Sequence, residues 1–391
     1  MFNITAEQLE KNKAIHTARE IYQQPEVWSE LVEMILQQQD TWKTFVDSIY
    51  QKHDQVRVIF TGAGTSAFVG DTVVPALRKG TSGNIQFEAI ATTDIVSNPE
   101  EYLLKQVPTI MVSFARSGNS PESVATVALG EQLIDHFYQV VITCNKGGQL
   151  AKNVENDDKA LVILMPDKAH DQGFAMTSSF TSMILTAYAL FQSTPFNGEQ
   201  EQLLVEQAQH FVDHVGDVVD DMLSFDFERI VYLGSGLFGQ LSHEAALKML
   251  ELTAGKVVAI HESSLGFRHG PKSILHEKSA VVLFMSQQSY TRKYDMDILR
   301  ELAADESGMK VIALTEKEDP EVAALAAWTI TVNRSETAFS NDFHLALLYV
   351  IFAQTVALKK SLALGITPDN PSPDGRVNRV VQGVTIHHYD V

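Results

Sequence analysis

Cysteine is nearly absent from this sequence. Cys144 is the single one in 391 residues, which excludes an internal disulfide framework and leaves no redox or zinc-binding pattern. Positive charge is scarce, with 30 Lys and Arg against 49 Asp and Glu and a formal net charge of −19. Neither nucleic acid nor an anionic membrane is expected as a partner of such a chain, and an anionic substrate has to be held by a local site rather than steered by the whole surface. No apolar run approaches membrane length, and the opening MFNITAEQLEKNKAIH lacks a basic region followed by an apolar one. Neither anchor nor signal peptide is expected, and the expected compartment is the cytoplasm. No histidine or carboxylate cluster has metal-ligand spacing, so no metal and no cofactor are expected.

What the sequence does contain is a repeat. Arg57-Val58-Ile59-Phe60-Thr61-Gly62-Ala63-Gly64 matches Arg229-Ile230-Val231-Tyr232-Leu233-Gly234-Ser235-Gly236 at an offset of 172 residues. The same offset places Phe114 to Ser117 on Ser286 to Ser289, and Val140 to Thr143 on Ile312 to Thr315. One spacing held across three strand ends predicts two copies of an α/β unit, each a doubly wound parallel sheet flanked by helices. The expected organisation is a helical segment over 1–50, a first copy over 51–205, a second over 206–365 and an extended tail rich in Pro, Gly and Asp over 366–391. Within the helical segment, Thr5 and Gln8 form a capping box, and a stripe from Trp28 through Ile49 reads as packing.

Two loops carry polar chemistry in the first copy. The β-branched run Thr109 to Phe114 predicts a buried parallel strand, and Ser120, Pro121 and Glu122 are the N-cap and first turn of a following helix. Arg116, Ser117, Gly118, Asn119 and Ser120 thus stand at a helix N-terminus, where unpaired N–H groups and serine hydroxyls suit a phosphate. An ordinary capped turn has the same residues. Gly64, Thr65 and Ser66 open another helix after the preceding strand, and two hydroxyl-rich loops at adjacent strand ends favour phosphate binding over a plain tight turn. The second copy has Leu237 and Phe238 at the corresponding positions, so only the first can bind a phosphate this way.

The second copy has its own constellation. SHEAALKMLEL over 242–252 is a helix pattern with Lys248 and Glu251 three apart on one face, followed by a loop holding His261, Glu262, Arg268, His269 and Lys272. A carboxylate and a histidine near a phosphate pocket are what sugar isomerisation needs: one group opens the ring and the other carries a proton between C1 and C2. An exposed Lys–Glu ion pair is the alternative reading.

Together these residues resemble the SIS (sugar isomerase) family of tandem phosphosugar-binding domains. The motifs Gly64-Thr65-Ser66, RSGNS at 116–120, ALKMLEL at 246–252, RHGP at 268–271 and RVVQGVT at 379–385 stand in the family's order, and SFxRSGNSPESV with NRVVQGVTI is similar to the AgaS type. The resemblance implies phosphate-binding hydroxyls at Ser66, Ser117 and Ser120, a C1/C2 proton-transfer base at Glu251, assisted by Lys248, and a ring-opening histidine at His269. It implies sugar contacts at Thr177, Ser178 and Gln382, a tail that closes the site, and a homodimer or higher homo-oligomer whose histidine reaches a neighbouring subunit's site. The implied activity is conversion of galactosamine 6-phosphate to tagatose 6-phosphate and ammonia. Plain aldose–ketose isomerisation and a non-catalytic phosphosugar sensor are the alternatives. Compared with the isomerase half of glucosamine-6-phosphate synthase, Ala115 and Arg116 replace a serine and a glutamine, Gln382 replaces a lysine able to form a Schiff base, and Met176 to Ser179 replaces the pocket segment.

Overall fold

A computed structural model describes residues 1–79, 81, 83–381 and 383–390. The chain forms two compact units. One comprises Val27–Asp171, Ser178–Gly198 and Asp374–Val391; the other comprises Met1–Glu26, Gln172–Thr177 and Glu199–Pro373. We call them the phosphate-loop unit and the carboxylate unit, after the residues they carry.

The sheet of the phosphate-loop unit is built from β1 (Val56–Thr61), β2 (Ile85–Ala89), β3 (Thr109–Ala115), β4 (Phe137–Thr143) and β5 (Ala160–Leu164), all parallel in the order β2-β1-β3-β4-β5. Every residue of β1, β3 and β4 is buried, as continuous apolar runs require when helices cover both faces. The carboxylate unit repeats the plan with β6 (Arg229–Gly234), β7 (Val258–Ser263), β8 (Ser279–Phe284), β9 (Lys310–Thr315) and β10 (Trp328–Thr331), in the order β10-β9-β8-β6-β7. Read from its other edge this is the same order. In both sheets the winding reverses beside the first strand, and a ligand crevice is expected outside the carboxyl ends of the strands at that point.

The helices that matter below are α1 (Ile15–Tyr22), α2 (Gln24–Lys52), α3 (Thr65–Arg78), α4 (Pro121–Leu133), α5 (Ser178–Phe191), α6 (Glu199–Leu223), α7 (Leu237–Leu252), α8 (Ser289–Ala303) and α9 (Asp342–Ala363). The Thr5–Gln8 capping box is formed, and of the lead-in stripe Trp28, Leu31, Ile35, Val46 and Ile49 are buried. Helix α9 is long and apolar enough by composition to cross a membrane, yet it is the core helix of the carboxylate unit, buried against α6 and α7. The expected boundary between 205 and 206 falls inside α6, a continuous helix with one uninterrupted apolar face. Helical periodicity carries no mark of a domain border there, because the same face is buried before and after it.

The two copies agree to the level of single glycines. Gly64 (φ 57°, ψ −129°) and Gly236 (φ 59°, ψ −122°) cap α3 and α7 in the same left-handed conformation, which an L side chain rarely adopts. A Cβ on Gly62 would lie 2.6 Å from the Ser66 Cβ, and one on Gly234 would lie 2.5 Å from the Phe238 Cβ. The strand and helix can meet this closely only through glycine.

Candidate active site

In the phosphate-loop unit, β1 and β3 are neighbours in register, with Phe60 opposite Val112 and Thr61 opposite Ser113. Their C-terminal loops therefore emerge side by side. Thr65 and Ser66 begin α3 and are buried, and the N-cap Gly64 has no side chain to satisfy the first-turn amides. The second loop leads into α4, whose N-cap is Ser120 followed by Pro121; the Ser120 hydroxyl makes no capping bond. The Ser117 hydroxyl accepts the Asn119 amide at 3.3 Å, while the Asn119 side chain accepts the Gln149 amide at 3.0 Å. Asn145 Nδ2 donates to the Ser117 carbonyl at 2.8 Å and Gly118 takes φ 68°, so the loop is tied down from behind. Two helix N-termini with serines at or beside their caps present the partial positive charge that suits an anion.

The Arg116 guanidinium is buried beside this loop and donates through Nη2 to the Arg379 carbonyl at 3.3 Å. Arg379 in turn donates to the Asp171 carbonyl. The Asp171 carboxylate, fully buried, accepts the amides of Ser178 and Ser179 at 3.0 Å each and the Ser179 hydroxyl at 2.5 Å, which caps α5. The tail is thus linked to the arginine of the serine loop. Sequence reasoning missed Asp171, which sits in no local motif, and gave no role to Arg379, the first residue of the RVVQGVT motif. Gln382 lies outside the described residues. Burial, with help from Asp171 and against the opposing pull of Arg116, pushes the Cys144 thiol up and disfavours its thiolate.

In the carboxylate unit, α7 projects Glu244, Lys248 and Glu251 along one face. Lys248 is fully buried; its Nζ stands 3.5 Å from Glu244 Oε1 and bonds Glu251 Oε2. Glu244 is buried as well, whereas the Glu251 side chain keeps 23% of its surface exposed. The exposed ion pair considered from the sequence is therefore not what forms. A buried ammonium between two carboxylates, one reachable from solvent, suits a proton-transfer base that must return to its ionised form. Glu244 was legible as the i−4 neighbour of Lys248, but its burial was not.

His269 follows the short helical turn Gly266–Arg268, with its amide donating to the Gly266 carbonyl at 2.9 Å. Its ring is exposed and, among the described residues, pairs with neither Glu251 nor any other carboxylate. Arg268 and Lys272 of the same loop both bond Glu301, at 2.6 and 2.8 Å. The structure thus brings Lys248 to Glu251 and leaves His269 presented outward on a braced loop. Thr177 and Ser178 are fully buried at the start of α5.

The SIS domain family model matches residues 50–193 and 225–363. The chain is 43% identical over 372 residues to the D-galactosamine-6-phosphate deaminase AgaS of Escherichia coli, covering 95% of each, and 40% identical over 389 residues to that of Shewanella sp. (strain ANA-3), covering 99% of this chain and 95% of the relative. Among solved structures, the tagatose-6-phosphate ketose/aldose isomerase of Escherichia coli superposes with a TM-score of 0.87 at 39% identity, covering 96% of this chain and 97% of that one. A repeated sheet order, a serine-lined pair of helix N-termini in one copy and a carboxylate–lysine–carboxylate row in the other accompany these matches, and the chain belongs to the SIS domain family, with the domain in two copies.

Proposed function

We propose that this chain is a D-galactosamine-6-phosphate deaminase that isomerises its substrate as it releases ammonia. The observation that carries the reading is the 40–43% identity, over nearly the whole length, to relatives of that name. In the proposed reaction His269 assists ring opening. Glu251, held by Lys248, takes the C2 proton and returns it to C1, which turns the C2 amine into a ketimine. Water adds to the ketimine, ammonia leaves with the C2 nitrogen, and a ketose 6-phosphate remains. Ser66, Ser117, Ser120 and Arg116, with the backbone of Gly64, Thr65, Gly118 and Asn119, are proposed to hold the phosphate. Thr177, Ser178 and Gln382 are proposed to touch the sugar, with the tail closing over it. A charged sugar phosphate does not cross a bilayer unaided, so enzyme and substrate share one compartment, which we take to be the cytoplasm.

Purified protein given a panel of amino sugar 6-phosphates is expected to release ammonia fastest from the galacto epimer. Turnover of tagatose 6-phosphate with no ammonia from any amino sugar would replace this reading with the second one, plain aldose–ketose isomerisation, which the likeness to the tagatose-6-phosphate ketose/aldose isomerase of Escherichia coli favours. Both reactions need the same C1/C2 proton transfer. We further propose that the outward His269 serves a neighbouring subunit in a homo-oligomer. Mixing inactive Glu251→Gln and His269→Ala chains should then restore activity once subunit exchange has been shown by mass; hybrids without activity would assign His269 to its own chain.

A further inference from the structure

The segment Gln172 to Thr177 precedes the buried hydroxyls at the start of α5 and packs with the carboxylate unit. It is held there by the side chain of Glu20. Glu20 of α1 is 5% exposed, and its Oε1 accepts the Gln172 amide at 2.5 Å and the Gly173 amide at 3.1 Å; its Oε2 lies 3.2 Å from the same Gly173 nitrogen. Gly173 is selected by this approach, since a Cβ there would stand 2.9 Å from both Glu20 Oε2 and Thr17 Oγ1. One turn earlier on α1, Thr17 donates its amide and hydroxyl to Asp369 at 2.8 Å each, and the His16 amide reaches the same carboxylate at 3.1 Å. A single short helix therefore grips the segment before α5 at one end and the start of the C-terminal segment at the other.

We infer that Glu20 is a positioning residue for sugar recognition: its carboxylate fixes the backbone of 172–177 and thereby the placement of Thr177. The inference rests on the proposed sugar contact of Thr177. A carboxylate accepting backbone amides in a buried setting is worth more than a neutral bond, and an amide in its place turns an N–H toward the peptide N–H groups or leaves one of them unpaired. Glu20 is remote in sequence from the serine loops at 64–66 and 116–120, so the anchoring of phosphate should not depend on it.

Hydrogen exchange on the wild-type protein without ligand comes first. The amides of Gln172 and Gly173 are expected to be protected, and unprotected amides there would overturn the inference outright. In Glu20→Gln, exchange over 172–177 should accelerate, and KM for the sugar phosphate should rise about tenfold to a hundredfold, while the inhibition constant of inorganic phosphate changes less than about twofold. Gly173→Ala attacks the same contact from the other side and should reproduce the pattern, with Glu20→Asp intermediate. If the variants lose inorganic phosphate binding in step with the sugar phosphate, or keep the wild-type KM despite faster exchange, Glu20 is structural only. A wild-type enzyme that isomerises tagatose 6-phosphate and releases no ammonia would overturn the substrate reading alone, and the same KM comparison on that ketose would still decide the role of Glu20.

Discussion

The two SIS copies have one backbone plan and opposite fates at their strand ends. In the second copy, the carboxylate of Asp295 on α8 is fully buried and accepts the hydroxyls of Ser235 at 2.6 Å and Ser264 at 2.8 Å and the amide of Ser286 at 2.9 Å. Asp342, at the start of α9, takes the Ser286 hydroxyl at 2.5 Å and the Gln287 amide at 3.0 Å. The donors at that switch point are thus satisfied from within the chain. In the first copy the serines of the 116–120 loop bond no carboxylate among the described residues. One copy supplies its own anion, whereas in the proposed reading the other keeps donors for the phosphate of its substrate. Buried polar groups must be paired, so a duplicated cradle that stops binding a ligand needs an internal replacement for it. Burial pushes the Asp295 carboxyl up against the pull of its serine donors.

The comparison can be broken most forcefully at the chemistry now confined to the second copy. Glu251→Gln keeps the shape of the side chain and is expected to lower turnover by about 10² to 10⁴, and to lower the urea midpoint as well because the buried Lys248 loses a carboxylate partner; exchange of the C2 proton with solvent, followed by NMR, measures the first effect. Asp295→Asn should cost about 3 kcal/mol in urea unfolding, because a buried acceptor of three donors is lost. Ser120→Ala in the first copy, where the hydroxyl makes no capping bond, should cost under about 1 kcal/mol, and equal losses would mean that the two cradles do not differ as described. Ser117→Ala is expected to weaken sugar phosphate binding by about 1.5 to 3 kcal/mol. Ser289→Ala, at the exposed start of α8 in the second copy, should leave the calorimetric affinity unchanged.

The smallest effect concerns another matched pair, Asp71 on α3 and His243 on α7. Burial, with help from Asp94, raises the Asp71 carboxyl to about 6, and burial, with help from the stacked ring of His261 at 3.9 Å, lowers His243 to about 4. Both shifts favour the neutral form but act on stability with opposite sign. The Asp71 contribution is complete below its unfolded value of about 4 and is lost as pH rises through about 6; that of His243 is complete above about 6.5 and is lost as pH falls through about 4. The melting advantage of Asp71→Asn over wild type should therefore grow from pH 4 to 6, and that of His243→Gln from pH 6.5 to 4. Parallel trends would show that the two positions are not equivalent environments.

Much of this architecture was legible because it is written in local pattern. The buried strands are continuous β-branched runs, the helix starts carry Gly64 and Ser120-Pro121, and the three-residue spacing of Lys248 and Glu251 places them on one face. The contacts that organise the site are of another kind. Glu20 meets Gly173, Arg379 meets Asp171, and Asp295 meets Ser235 across wide separations in the chain. A carboxylate that caps a distant loop looks, in sequence, like any surface acid.

The sequence by itself determined the repeat, the α/β class, the two serine loops and the catalytic candidates, because periodicity, caps and motif spacing act over a few residues. Tertiary structure alone decided which polar groups are buried and what pairs with them. It made Lys248 a buried ion between Glu244 and Glu251 instead of a surface charge, filled the second cradle with Asp295, and gave Glu20 a loop to hold. Burial is a property of the packed chain, and it is burial that turns an ordinary charge into one whose partner must be present.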